Sequence, residues 1–262
     1  MKNLYGTEIL IATPGRLLDL LDHNAFSMDQ LEYLVIDEAD KMFQLGFGEE
    51  MERILKVVPA KKQSILFSAT LNEKVDEIKA TLKINPIVVE VKKQDIDIEA
   101  IEQVAYHVTA ENKGPFLRYL IKTENIQQVL IFVSSTRTAD NLVEKLKKNN
   151  IDALAVHSKK SQGARMDNLE DFKLGDVQVL VATDLIGRGI HIEGLPYVIN
   201  YELPRSPLDY VHRIGRTGRA NQTGKAISLI TEEDLHQFKV IQKKMGKKVE
   251  VESTEEVNLH GY

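Results

Sequence analysis

The sequence predicts an α/β protein built from two parallel-sheet domains, and three observations carry that prediction. Short apolar runs alternate with stretches of helical period, the pattern of βα units on a parallel sheet. The alternation runs twice, and a polar stretch without helical period, Lys92-Lys93-Gln94-Asp95-Ile96-Asp97-Ile98-Glu99, separates the two rounds. The apolar run Tyr33-Leu34-Val35-Ile36 closes on Asp37-Glu38, which sets carboxylates at the C-terminal tip of what reads as a buried strand. Open α/β sheets keep their ligand sites at that end.

In the first round, residues 9–12 (Ile-Leu-Ile-Ala) read as a strand. Thr13 then serves as an N-cap with Pro14 at the first helical position, and Leu17, Leu18, Leu20 and Leu21 give the helix an apolar stripe. The N-terminus of such a helix is also a ready anion site. Further strands are expected at 34–36, 64–67 and 87–89. The organisation reads as a first domain over 1–91, a linker over 92–102 and a second domain over 103–245. Strands in the second are expected at 103–108, 129–133, 153–156, 177–181, 197–201 and 226–230, each followed by a helical stretch. Residues 246–262 are charged and poor in large apolar side chains, so a frayed tail is expected there.

At 262 residues each of two modest domains can bury its own core. The absence of cysteine excludes disulfides and thiolate metal sites and fits a reducing cytoplasm, the expected location. No apolar run approaches the roughly 20 residues that span a bilayer, and no apolar leader follows Met1, so no membrane partner is expected. No histidine pair has metal-ligand spacing with a third partner. The net charge is −5, but residues 103–245 hold 20 Lys+Arg against 16 Asp+Glu, or 20 − 16 = +4. Contact with phosphates needs only a local basic face, so nucleic acid remains an admissible partner.

Two motifs carry chemistry. Val211-His212-Arg213-Ile214-Gly215-Arg216-Thr217-Gly218-Arg219 spaces three arginines with glycines that let backbone approach an anion, which suits terminal phosphates of a nucleotide. Arg216 and Arg219, three apart, would project to one side of a helical turn. Asp37-Glu38-Ala39-Asp40 offers the carboxylates that triphosphate hydrolysis requires, one for magnesium and one to orient water; a macrodipole role at a helix start is the alternative. Gln162 and Arg165 share one helical face, although a plain surface arginine would look the same. Lys159-Lys160 reads as solvated charge and His157 as a turn residue.

Taken in order, Asp37-Glu38-Ala39-Asp40, Ser68-Ala69-Thr70, Val181-Ala182-Thr183-Asp184 through Arg188-Gly189, and the arginine fork resemble the DEAD-box RNA helicases of superfamily 2. The likeness runs from residue 6 to about residue 244. It implies two RecA-like domains, ATP and magnesium as cofactors, and RNA as partner. It also implies Asp37 as the magnesium carboxylate, Glu38 as the water-orienting one, and Arg216 and Arg219 as fingers on the γ-phosphoryl group. His212 and Arg213 would tie the fork to the acidic tetrad, and Ser68 and Thr70 would hydrogen-bond Asp40, unless they merely cap a strand end. Thr13, Gly15, Arg16, Gln162, Arg165, Thr183 and Gly189 would hold an RNA sugar-phosphate backbone, read through 2′-hydroxyls and A-form shape.

The sequence departs from the family pattern in two places. His191 stands where the family has an aspartate that accepts from the nucleotide ribose, and histidine accepts through only one nitrogen. No aromatic-plus-glutamine adenine site precedes the acidic tetrad, and no G-x-x-x-x-G-K-[ST] phosphate loop occurs. The nearest imitation, Gly218 to Gly224-Lys225-Ala226, has one residue too many and leads into a strand-like run. The expectation is therefore an N-terminally truncated helicase, its first domain incomplete and its second complete, inactive as an ATPase. The alternative is a non-catalytic RNA- or protein-binding module built on the second domain.

Overall fold

The computed structural model describes residues 6–44, 46–68, 73–82, 86–90, 98–184, 192, 194–218 and 224–262, with backbone alone at 41, 43, 44 and 73–75. The chain divides into two compact units, Met1–Lys92 and Lys93–Tyr262.

In the first unit, α1 (Pro14–Asp22) starts at Thr13 with Pro14 at its first position. The Thr13 backbone is extended as a cap requires, yet its hydroxyl makes no capping hydrogen bond. Leu18 and Leu20 are buried, and Leu17 and Leu21 pack beside them. Next come β1 (Tyr33–Ile36), α2 (Ala39–Gln44), α3 (Gly48–Val57), β2 (Gln63–Leu66) and α4 (Glu73–Leu82). β1 and β2 pair in parallel, Ile36 opposite Leu66. Leu18 of α1, Met51, Ile54 and Leu55 of α3 and Ile78 of α4 cover one face of this pair around Ile36.

The other face is bare, and the expectation of a buried strand at 33–36 is corrected: Tyr33 is 60% exposed and Val35 56%. A parallel sheet normally has both faces covered. The strands expected at 9–12 and 87–89 are also absent, and Ile9, Ile11, Ile87 and Val89 are each at least 80% exposed. A parallel strand exists through hydrogen bonds to a neighbour, and among the described residues these runs have none.

The second unit is a parallel sheet between two layers of helices. It contains β3 (Ile101–His107), α5 (Lys113–Thr123), β4 (Val129–Val133), α6 (Thr136–Lys148), β5 (Ala153–Val156), α7 (Gln162–Leu174), β6 (Val179–Thr183), β7 (Tyr197–Asn200), α8 (Pro207–Ile214), β8 (Gly224–Ile230), α9 (Leu235–Met245) and β9 (Val251–Ser253). The described strands form one sheet in the order β5-β6-β4-β7-β8-β3-β9, every pairing parallel. The period of two decides the layers. Ile131, Ile199 and Ile227 lie in one row facing Phe116, Leu117, Leu142 and Leu146 of α5 and α6. Leu130, Val198 and Ala226 face the opposite way, toward Phe172 of α7 and Tyr210, Ile214, Phe238 and Ile241 of α8 and α9. Each such buried aliphatic contributes roughly 1.5–3 kcal/mol.

Local signals agree with these elements. Ser135 caps α6 by accepting from Thr138 N at 3.0 Å, and Ser161 caps α7 by accepting from Ala164 N at 3.2 Å. Three expectations are corrected. β6 begins at Val179 rather than 177 and runs on to Thr183, because its register is set by β4 (Val129↔Val179, Val133↔Thr183) rather than by the first apolar residue. The linker expected over 92–102 ends earlier, since Ile98–Ala100 form a 3-10 turn and Ile101 already pairs with Gly224. The expected tail is ordered: Val249 is buried, β9 pairs with β3, and Val257 and Leu259 pack on the core.

Candidate functional site

In the first unit the acidic tetrad follows β1 directly, with Asp37 and Glu38 exposed and Ala39 and Asp40 buried. Glu38 adopts φ +50°, a left-handed conformation that ordinary side chains rarely take, and its N–H donates to Asp37 Oδ1 at 2.8 Å. Strain of this kind, of order 1 kcal/mol, clusters where chemistry needs a side chain aimed off the regular path. Phe67 N donates to Ile36 O at 2.8 Å and Ala39 N to Phe67 O at 3.0 Å. These bonds zip the end of β2 to the tetrad and bring Ser68 to it; Thr70 lies outside the described residues. Magnesium binds through one or two carboxylates and completes its shell with water and phosphate oxygens. Exposed Asp37, with Oδ2 clear of the Glu38 contact, suits that role, and among the described residues no three His, Asp or Glu side chains gather to hold a metal by themselves.

The start of α1 presents Thr13, Gly15 and Arg16, all exposed. Arg16 pairs with Asp19 one turn on. Gly15 has no positive φ, and a Cβ built on it meets nothing within 4 Å.

In the second unit the fork is organised from inside the fold. Arg213, 2% exposed, donates from Nε and Nη2 to the two carboxylate oxygens of Asp184 at 2.6 and 2.8 Å. Its Nη1 donates to Asn200 Oδ1 at 3.0 Å and to the Glu202 carbonyl at 2.7 Å, and its guanidinium lies 5.0 Å from the centre of the Phe132 ring. A buried guanidinium is tolerated because its donors are matched and its plane is stacked. The ends of β4, β6 and β7 are thereby tied together at the carboxyl edge of the sheet, beside Thr183. Within the second unit the carboxylate partner of Arg213 is Asp184, which the sequence analysis gave no role of its own. Asn200 and Glu202 were missed as well. Their signal was present, since Asn200 closes the apolar run Tyr197-Val198-Ile199 as Asp37 closes its own.

Arg216 does not share a helical turn as expected, because α8 ends at Ile214. It sits in the following turn, where Leu195 N donates to its carbonyl at 3.1 Å and the buried Thr217 hydroxyl donates to Leu195 O. Gly224 permits that path: a Cβ there would lie 1.8 Å from Thr217 Oγ1 and 2.4 Å from Gly218 N. Gly224 opens β8, so the Gly224-Lys225-Ala226 end of the rejected phosphate-loop imitation is sheet strand. His212 lies in the last turn of α8. Gly189, His191 and Arg219 lie outside the described residues.

At the start of α7, Gln162 and Arg165 share a face and are hydrogen-bonded to one another. Gly163 between them lacks a positive φ, and a Cβ on it would meet nothing within 4 Å. Lys160 is not free solvated charge, since its Nζ lies 3.0 Å from Asp140 Oδ1. His157, directly after β5, opens a turn as expected, its carbonyl accepting from Lys160 N at 3.0 Å, and it is 1% exposed.

Comparison with known proteins agrees with both units. Residues 1–78 match the DEAD/DEAH box helicase family and 112–221 the helicase conserved C-terminal domain. The chain is 38% identical over 248 residues to the ATP-dependent RNA helicase RhlB of Pseudomonas syringae pv. tomato, covering 94% of this chain and 62% of that protein. It is 38% identical over 254 residues to the ATP-dependent RNA helicase DbpA of Bacillus subtilis, covering 96% and 53%. The chain thus spans a little over half of the length of these relatives. Among solved structures, Saccharomyces cerevisiae Dbp5 bound to RNA and ADP BeF3 is similar at TM-score 0.75 and 31% identity, over 93% of this chain and 64% of that one. With the parallel α/β fold, the strand-end acidic tetrad and the internally braced arginine segment, these matches show that the chain belongs to the DEAD-box RNA helicase family.

Proposed function

We propose that this chain carries the RNA-gripping surfaces and the arginine-bearing segment of an ATP-dependent RNA helicase, acts in the cytoplasm, and by itself binds RNA without hydrolysing ATP. The observation that carries the RNA part is the pair Gly15 and Gly163. Each lies in the first turn of a helix without a positive φ, and neither has a neighbour that a Cβ would touch. Glycine within a helix costs up to about 1 kcal/mol relative to alanine, so neither conformation nor internal packing accounts for it. An external backbone that comes close to the helix start does, and Arg16 and Arg165 stand beside these glycines to meet its phosphates.

ATP and magnesium belong to the family's chemistry. In this chain Asp37 would hold the ion and Glu38 would orient water, while Arg216 and Arg219 would counter charge on the γ-phosphoryl group. Thr183 and Gly189 would add backbone contacts to RNA, and Asp40, Ser68, Thr70, His212 and Arg213 would keep the two motifs in shape. The phosphate loop supplies most of the β- and γ-phosphate binding in such enzymes, and these 262 residues contain no such loop.

The test is a titration of RNA and of DNA of the same sequence, alongside an ATPase assay with RNA present. RNA should bind better than DNA, with little base preference, a shallow salt dependence, and weakening by Arg165→Ala. Each phosphate contact contributes a slope of roughly −0.7 in log affinity against log salt on single strands. ATP turnover that vanishes in Arg216→Ala would overturn the ATPase part. Strong base preference, or indifference to Arg165→Ala, would overturn the RNA part and favour a protein-binding module.

A further inference from the structure

The turn that leads into α7 is held from a neighbouring helix by a single carboxylate. His157 Nε2 lies 3.0 Å from Oδ1 of Asp140, which projects from α6. Lys160 Nζ reaches the same oxygen at 3.0 Å. Lys160 N donates to the His157 carbonyl at 3.0 Å, so both ends of the turn 157–160 converge on Asp140. Ser161 follows at once, accepting from Ala164 N at 3.2 Å and, through its carbonyl, from Arg165 N at 3.0 Å. Gln162, Gly163 and Arg165 therefore take their place from a turn whose geometry α6 dictates. From the other side, Asn168 Nδ2 donates to the Ala155 carbonyl at 3.0 Å and fixes the next turn of α7 to β5.

We propose that Asp140 is a positioning residue for nucleic-acid contact: through His157 and Lys160 it sets the start of α7 so that Gln162, Gly163 and Arg165 present one preformed face to an RNA backbone. This deepens, and rests on, the RNA reading proposed above. Two further facts fit. Burial raises the Asp140 carboxyl, but hydrogen bonds from His157 and Lys160 outweigh it and hold the group below its ordinary value, as a persistent acceptor should be. Nδ1 of His157 and Nε of Arg165 are buried with no hydrogen-bond partner. A histidine that is 1% exposed with one nitrogen unmatched is tied to this place by Asp140 rather than by a full set of partners.

The experiment uses the full chain and a short fluorescein-labelled oligouridylate. Asp140→Ala should weaken RNA binding about as much as Arg165→Ala does, by roughly tenfold for one charged contact. The double variant should be no weaker than Arg165→Ala alone, because the aspartate acts through that face. Asp140→Asn keeps an acceptor for His157 and should recover part of the affinity. In the absence of RNA, amide exchange at Ala164 and Arg165 should quicken in Asp140→Ala. Additive losses in the double variant, or unchanged exchange at those amides, would overturn the positioning role even where RNA binding falls. If Arg165→Ala itself leaves binding unchanged, the RNA reading fails first, and exchange at Ala164 still reports whether Asp140 sets the turn.

Discussion

Gly163→Ala should stabilise the fold and weaken RNA binding in the same molecule. A Cβ at 163 has no neighbour within 4 Å, so the methyl enters α7 without a clash. Replacing glycine by alanine within a helix gains about 0.5–1 kcal/mol; in the first turn, where backbone order is looser, roughly 0.5 kcal/mol is expected. For a unit of this size that raises the melting midpoint by about 1–2 °C. The methyl would occupy the space into which a phosphate must come to reach the helix N-terminus between Gln162 and Arg165. Displacing one such hydrogen bond costs about 1.5 kcal/mol, or roughly tenfold in affinity. Differential scanning calorimetry and fluorescence anisotropy on the same preparation read the two effects. A lower midpoint would mean that 163 is not open, and unchanged RNA affinity would mean that nothing approaches there.

Other outcomes follow from the buried groups. Arg213→Ala should lower stability by about 3 kcal/mol, and the midpoint by roughly 6–12 °C, since it removes a buried, ring-stacked side chain and leaves the buried Asn200 Oδ1 and the half-buried Asp184 carboxylate without their donor; Arg213→Lys should not restore it, because lysine cannot make the two-oxygen contact with Asp184. An Arg213→Lys midpoint equal to wild type would refute the fork geometry. Burial pushes the Tyr210 hydroxyl up from 10.0 to about 12, with Ser228 and Arg213 opposing. The folded state thus holds this proton more tightly than the unfolded one, so the contribution is complete below pH 10 and is lost as pH rises through about 12, at most about 3 kcal/mol. Tyr210→Phe should flatten that part of an alkaline stability curve, and an unchanged slope would contradict it. Limited proteolysis should cut the first unit, with its bare Tyr33–Val35 face, and leave the second unit as a resistant core; equal protection of both in hydrogen exchange would count against this.

The family and the fold class were legible in the sequence because both rest on short-range features. Continuous apolar runs such as Val129-Leu130-Ile131-Phe132-Val133 report a strand buried on both faces whatever it pairs with, and all five residues are buried. Thr13-Pro14 marks a helix start through local geometry alone. The fork and the acidic tetrad could be matched to a family because their spacing is local too. Tertiary structure decided what depends on a distant partner. Residues 9–12 and 87–89 have strand sequences but pair with no strand among the described residues, and 249–259 looks polar until β3 and the core receive it. Arg213 reads as an internal organiser in sequence, but only the fold shows that Asp184, Asn200 and Glu202 take its donors. Asp140 and His157, 17 positions apart, meet only because α6 and β5 pack together. A sequence displays the hydrogen-bonding capacity of each residue, but which groups consume it is settled by packing, since a buried donor must be matched by whatever the fold brings to it.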